Sequence, residues 1–455
     1  MREHKLSFET LKQSTITREL PLRWLLLWLL LPHFPVVIML PFGGPPMSWA
    51  LIFTIPTVLL AAQLPWRPVK ALLLLSITIA FGTIYVSTMF NLGVSHLTML
   101  PSIFDDIRPL RSPEYIIGSL VALCAIYAAM RLAPRVERFP SLMSWMMAVF
   151  FAISFLSLEF YANAQTRGSY KGSPGPGDEV MSATDAVGLF DPITDAGKQR
   201  HLVIIIVEAL GLPRSAEETK MFARDWNRSE WAERYDVQTG SVPYYGSTTN
   251  AELRELCDSW GMYYTFAFEN ARCLPEIYQE AGYDTFAIHG FDGDFFERRK
   301  WYPELGFSQM QFRRELDEVG VSRCGGMFAG ACDPEIPARI ATRLKSSEKP
   351  QLAYWLTLNG HVPVVREPRM GTDRCDIGEP GWRADNPHLC RLFTVHRQLA
   401  DAIDTMAMDP DLPPTDILIV GDHVPPFFDR VTRMKFDGGE VPWVYLRHAE
   451  ADAGK

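Results

Sequence analysis

His201-Leu-Val-Ile-Ile-Ile-Val-Glu-Ala-Leu-Gly211 decides the fold of the second half of the chain. A short β-branched run without polar alternation reads as a strand buried on both faces, not one with a solvated side. A Glu and then a Gly follow it directly. Similar apolar runs occupy 283–289, 351–358, 415–420 and 441–446, and helical patterns lie between them at 216–234, 251–260, 274–281, 334–346 and 387–408. Strands alternating with helices imply a doubly wound, mostly parallel sheet whose ligands bind beyond the carboxyl ends of the strands.

Upstream the chain changes character. The 455 residues are 47% hydrophobic and 21% charged with a net charge of -9, averages that hide a strong asymmetry between the two ends. No Asp, Glu, Lys or Arg occurs from 24 to 66, from 71 to 104, from 115 to 130 or from 139 to 158. A bilayer-spanning helix needs about 20 mainly apolar residues, since its backbone polar groups must be satisfied within the segment. The cluster Pro41-Phe-Gly-Gly-Pro-Pro-Met-Ser48 divides the first run, so helices are expected near 24–41, 48–65, 71–90, 115–131 and 141–161. Basic residues favour the cytoplasmic side. Arg2, Lys5, Lys12, Arg18 and Arg23, then Arg67 and Lys70, then Arg131, Arg135 and Arg138 place the N-terminus inside and everything after Tyr161 outside. The expected organisation is a five-helix transmembrane bundle over 1–161, a Gly/Pro/Ser-rich linker over 162–200 and an extracytoplasmic α/β domain over 201–455. The expected location is the plasma (inner) membrane, with the outer domain periplasmic or extracellular. The mild acidity and the lack of a clustered basic stripe argue against a nucleic-acid partner.

Six of the seven cysteines, Cys257, Cys273, Cys324, Cys332, Cys375 and Cys390, fall in the outer domain. An even number outside the cytoplasm indicates disulfides. Fifteen connectivities are open, of which sequence neighbours give three short loops, 257–273, 324–332 and 375–390. The absence of any Cys-x-x-Cys spacing speaks against a metal cluster. Two strand tips carry side chains that a buried strand does not need: Glu208 after the first, and Asp422 with His423 after the run at 415–420. Carboxylate oxygen with imidazole nitrogen suits Zn or Mn. Between them, Gly246-Ser-Thr248-Thr-Asn opens a helix, whose N-terminus favours an anion such as phosphate. Helix capping alone would also account for these hydroxyl residues.

Strand-Glu208, Gly-Ser-Thr248-Thr-Asn-Ala-Glu, Leu-Asn-Gly-His361-Val-Pro and Gly-Asp422-His423-Val-Pro-Pro occur in an order that resembles the sulfatase-like branch of the alkaline phosphatase superfamily. Together with five helices, the chain looks like the membrane phosphoglycerol and phosphoethanolamine transferases, lipoteichoic acid synthases among them. That resemblance implies Thr248 as nucleophile, with Glu208, Asp422, His423 and Thr248 around one divalent ion and room for a second when substrate binds. It implies His361 near the leaving oxygen, and a head-group site formed by His289, Asp292, Phe296 and Arg298. Phe296 stands where such synthases usually show Trp, and Phe291 where their Asp is expected, which leaves the head group open. The reaction implied moves a phospholipid head group, phosphoethanolamine or phosphoglycerol, onto a polysaccharide or lipid-linked glycan through a phospho-threonine.

Rival readings keep the same residues. A sulfatase would resemble chains with a Cys/Ser-x-Pro-x-Arg signature, for which Cys273-Leu-Pro-Glu-Ile and Cys332-Asp-Pro-Glu-Ile are near misses without the Arg. A phosphodiester hydrolase would differ only in taking water as acceptor. A catalytically silent binding module of a polysaccharide assembly system would not need Glu208, Thr248, Asp422 and His423 together.

Overall fold

The computed structural model describes residues 20–39, 47–89, 113–132, 138–163, 174, 180–195, 199–427 and 429–449. Most of the basic N-terminal tail, most of the breaker cluster at 41–48, the loop at 95–112, Arg135 and most of the Gly/Pro-rich tether lie outside them. The chain divides into two compact units, an N-terminal helical one and a second that holds the sheet.

In the helical unit, helices lie at all five expected positions, but they are unequal. Among the described residues, two are long and apolar enough to cross a bilayer, Arg67–Tyr85 and Leu142–Ala162. A third, Pro113–Leu132, follows the expected position, and Ser48–Ala61 is shorter. The first expected helix is broken into Leu22–Trp24, a π-helical Leu25–Leu30 and Phe34–Met39. Pro32 and Pro35 fall at this break, each removing a backbone donor from the helical ladder. His33 is fully buried and structural: Nδ1 meets Leu29 O at 2.6 Å and Nε2 meets Thr54 Oγ1 at 2.8 Å. Glu159, also fully buried, accepts the Met47 N–H at 2.5 Å and the Ser48 hydroxyl at 2.6 Å, satisfying the start of Ser48–Ala61. Large apolar side chains such as Phe53, Leu60, Leu72 and Phe150 point outward.

The second unit is built on a seven-stranded mixed, mostly parallel sheet. Its strands are β1 (His201–Val207), β2 (Tyr235–Pro243), β3 (Asp284–His289), β4 (Gln309–Gln311), β7 (Gln351–Leu356), β8 (Thr415–Gly421) and β9 (Glu440–His448), and β5 (Arg323–Cys324) with β6 (Gly330–Ala331) forms a separate small hairpin. Their order is β2-β9-β8-β1-β7-β3-β4. From β8 to β4 all pairings are parallel. The expectation of parallel pairing fails for the run at 441–446, because β9 runs antiparallel to β8 and to β2. The edge strand β2 has no counterpart among the expected strands: exposed and half-exposed residues dominate it, so it lacks the continuous apolar run that marks the others.

The uniform hydrophobicity of β1 has a direct cause. Leu202, Ile204 and Ile206 enter the core on one face, while Val203, Ile205 and Val207 enter the core on the other. Helices cover the sheet: α1 (Ala216–Trp226), α2 (Thr248–Cys257), α3 (Leu274–Glu280), α4 (Ile336–Ser346) and α5 (Pro387–Ala407). The helix expected over 216–234 stops at Trp226 and resumes as one 3-10 turn, Ser229–Glu233. The helix expected over 251–260 starts three residues earlier, at Thr248, and closes at Asp258 in the left-handed region. All three expected disulfides are formed, 257–273, 324–332 and 375–390, and Cys124 is free.

Candidate active site

Register brings the strand tips together. Val207 pairs with Gly421 across β1 and β8, so Glu208 and Asp422 leave the sheet side by side. Glycine is required at the second tip, because a Cβ on Gly421 would lie 2.1 Å from Leu210 O. The Glu208 N–H donates to Thr357 Oγ1 at 2.9 Å and the Glu208 carbonyl accepts from His396 Nε2 at 3.1 Å. Ala209 then turns at φ 56°, a costly conformation for a residue with a Cβ, and its N–H donates to Asp422 Oδ1 at 2.8 Å. The His423 N–H donates to the same oxygen at 2.6 Å. Two backbone donors thus hold Oδ1 and leave Oδ2 facing the site.

Helix α2 delivers the hydroxyl. Gly246 has φ +91°, and a Cβ there would lie 2.1 Å from Asn250 Oδ1, the atom that accepts the Ser247 N–H at 2.9 Å. This reciprocal cap starts the helix at Thr248 and leaves its hydroxyl half-buried at the N-terminal turn. Thr248 Oγ1 lies 3.0 Å from Asp422 Oδ2, 3.5 Å from Glu208 Oε2 and 3.5 Å from His423 Nε2. His423 Nε2 stands 3.2 Å from Asp422 Oδ2 and 3.5 Å from Glu208 Oε1. Because His423 Nδ1 sits 3.0 Å from the Val424 carbonyl, which can only accept, Nδ1 carries a proton and Nε2 is the ring nitrogen that faces the site.

This donor set fits a divalent cation. Glu208, Asp422 and His423 each offer an atom within 4.8 Å of the others. Glu208 Oε1 is buried without a hydrogen-bond partner, a state that a cation would relieve. Burial first, and then the neighbouring Asp422 carboxylate, push the Glu208 carboxyl well above the usual carboxylate range.

The remaining expected residues fall into two groups. His361 follows Gly360, whose Cβ would meet Glu208 O at 2.5 Å, so its loop packs directly on the Glu208 turn. From it an aromatic wall runs through Phe328 at 4.5 Å, Phe295 at a further 5.2 Å and Phe296 at 4.3 Å more. Phe296 and Glu297 both hold positive φ, 55° and 56°. Asp292 is half exposed, 3.5 Å from Arg313. Arg298 and His289 behave differently. Arg298 is 2% exposed; Nη2 and Nε donate to Glu252 at 2.8 and 3.2 Å, and Nη1 reaches Phe295 O at 3.4 Å. Each guanidinium nitrogen thus has a partner inside the protein, where the resemblance implied a phosphate contact. His289 is buried with Nδ1 on Leu356 O at 3.1 Å, and burial followed by the Arg298 charge lowers its pKa to about 3. Sequence reasoning missed Thr357, His396, Glu252 and Arg254, buried polar residues that act only through contacts made by the fold.

Residues 241–445 match the family model described as Sulfatase, in agreement with the resemblance read from the motifs. No curated protein matches the chain. The solved structures similar to it include the lipoteichoic acid synthase LtaP from Listeria monocytogenes, at 14% identity over 60% of this chain and 72% of that one, with a TM-score of 0.44. The phosphoglycerol transferase GacH from Streptococcus pyogenes, in complex with sn-glycerol-1-phosphate, is 14% identical over 57% and 72%, with a TM-score of 0.39. The C-terminal periplasmic domain of EptC from Escherichia coli is 12% identical over 55% and 72%, also with a TM-score of 0.39.

Proposed function

We propose that this chain, whose outer domain is of the sulfatase and alkaline phosphatase type, transfers the phosphorylated head group of a membrane phospholipid to a glycan of the cell envelope. The head group is phosphoethanolamine or phosphoglycerol. The observation that carries the reading is the half-buried Thr248 hydroxyl at a helix N-terminus, 3.0 Å from Asp422 and 3.5 Å from both Glu208 and His423.

Glu208, Asp422 and His423 would hold one divalent ion, zinc or manganese, which supplies positive charge opposite the phosphoryl oxygens and acidifies a nearby hydroxyl. Thr248 Oγ attacks phosphorus in line; its proton leaves along the hydrogen bond to Asp422, and the bond from phosphorus to the glyceride oxygen breaks. His361 gives the departing oxygen its proton, so diacylglycerol leaves and phospho-threonine remains. An acceptor hydroxyl then attacks the same phosphorus and gives its proton to His361, the bond from phosphorus to Thr248 Oγ breaks, and Asp422 returns the proton to Thr248. The N–H groups and dipole of the first turn of α2 stabilise charge on the phosphoryl oxygens throughout.

Supporting details lie outside the site. Cys273 and Cys332, the two near misses to a sulfatase signature, are both tied up in disulfides and offer no sulfur for conversion to a sulfatase nucleophile. Three disulfides favour an oxidising compartment, hence an outer domain in the periplasm or outside the cell. The apolar helices favour anchoring in the plasma membrane with five crossings and an inside N-terminus, which gives the outer domain access to lipid head groups at high effective concentration.

The test is the intact mass of the full-length, ion-loaded protein after exposure to phosphatidylglycerol or phosphatidylethanolamine vesicles, with Thr248→Ala beside it. A glycerol phosphate or ethanolamine phosphate adduct absent from the variant is expected. Turnover of a soluble phosphodiester or sulfate with no adduct and no diacylglycerol from either lipid would replace the transferase with a hydrolase.

A further inference from the structure

Helix α2 carries more than the Thr248 hydroxyl. Arg254, six residues on, is 3% exposed and directs its guanidinium at main chain: Nη2 donates to Gly421 O at 2.8 Å and Nη1 to Asp422 O at 3.5 Å. Its Nε pairs with Glu255 Oε1 at 2.6 Å, and Glu255 is fully buried. A buried cation is thus spent on the two carbonyls that bracket the Asp422 backbone. Glu255 in turn faces the segment through which the chain enters the outer domain. Its Oε2 accepts the Thr184 N–H at 3.1 Å, and its main-chain oxygen accepts the Thr184 hydroxyl at 2.7 Å. One turn away, the Ser182 hydroxyl donates to Asp258 Oδ1 at 2.7 Å, at the residue that closes α2.

These contacts form one chain: Thr184, Glu255, Arg254, then the Gly421 and Asp422 carbonyls. Stability alone does not call for it, because apolar side chains of similar volume generally serve as well as a buried ion pair. A planar guanidinium instead fixes the relative positions of its acceptors. Here the acceptors belong to the strand tip that presents Asp422. That tip cannot be stiffened from the side chain of Gly421, which has no room for one.

We propose that Ser182, Thr184 and Arg254 are positioning residues of the metal centre, so that the site grips its ion only while the entry segment is seated on α2. The proposal rests on the reading that Glu208, Asp422 and His423 hold a divalent ion. Residues remote from the ion that orient its ligands typically change affinity by about 10- to 100-fold when altered.

The experiment uses the full-length chain in detergent micelles, freed of metal by chelation and titrated with Mn²⁺ or Zn²⁺ alone. Thr184→Val keeps the shape and removes the hydroxyl; the dissociation constant is expected to rise about tenfold and Thr184→Ser to restore it. Arg254→Met is made together with Glu255→Gln, so that no lone charge stays buried, and should weaken binding at least as much. Adding Thr184→Val to that pair should cost little more, because the three residues act as one unit. Amide exchange at Ala209 and His423, whose N–H groups hold Asp422 Oδ1, is expected to quicken in each variant while the metal-free thermal midpoint of Thr184→Val stays near wild type. Wild-type affinity in a folded Thr184→Val and in the Arg254 pair would overturn the proposal. Should the Arg254 pair fail to fold, Thr184→Val and Ser182→Ala decide. A wild-type chain that binds the ion but transfers no head group refutes the proposed reaction and leaves the positioning role standing; one that binds no ion refutes both.

Discussion

Arg298→Met separates two roles for one residue. In the structure Glu252, fully buried on α2, accepts from Arg298 Nη2 at 2.8 Å, from Tyr354 at 3.0 Å and from Tyr302. Removing the guanidinium strands a carboxylate with two phenol donors and no counter-charge. Breaking a buried pair from one side costs about 3–5 kcal/mol, which for a domain of this size corresponds to a fall of roughly 6–20 °C in thermal midpoint. The assay is thermal unfolding of the metal-free full-length chain, followed by tryptophan fluorescence, since Trp301 and Trp355 are buried in the unit that holds the sheet. The companion Arg298→Met with Glu252→Gln removes both charges and should recover at least half of the loss. If Arg298 instead held the substrate phosphate, its replacement would leave the midpoint unchanged and raise KM for the lipid. An unchanged midpoint with a raised KM would therefore refute the structural role of Arg298.

Asp422→Asn keeps the oxygen that accepts from the Ala209 and His423 N–H groups but removes the second carboxylate oxygen facing Glu208. The metal-free midpoint should rise by about 2–4 °C, about 1 kcal/mol of relieved repulsion, and the further rise that an ion gives the wild type should vanish; calorimetry with and without Zn²⁺ reads both. Burial holds the pKa of His289 at about 3 and that of His396 at about 4. Both lie below the ordinary value, so the unfolded chain takes up these protons first; stability is full above about pH 6.5 and is lost as pH falls toward 4. Asp333, pushed up to about 7 by burial, works oppositely, its contribution being lost as pH rises through 7. Urea unfolding between pH 4 and 8 should accordingly show an acid limb that His396→Gln flattens. Cys257→Ser with Cys273→Ser opens a loop of 16 residues joining the end of α2 to the start of α3. It should cost about 3 kcal/mol, measured by the same urea titration.

Much of the fold could be read from local pattern. Runs such as 201–207 and 415–420 are apolar on both faces because helices cover both sides of the sheet, so hydrophobicity along the chain identifies the central strands. β2 escaped because exposed and half-exposed residues dominate it, as befits an edge, and the direction of β9 escaped because the residues of a strand do not encode which way its neighbour runs. The cluster at the strand tips was legible for a similar reason: Glu208, Asp422 and His423 stand immediately after apolar strands, and parallel strands end on one edge.

Arg298 marks the limit of that reading. By spacing it belongs to a loop beside the site, yet its charge meets Glu252, 46 residues away in sequence, beneath the surface. The order of amino acids alone specifies which residues are apolar enough to form the sheet, where glycine must stand, and which polar side chains sit at strand tips. Which charges neutralise one another was settled only by the packed fold, because burial makes that choice: a buried guanidinium must find its partner among whatever groups the packing brings within reach, and no local spacing records them.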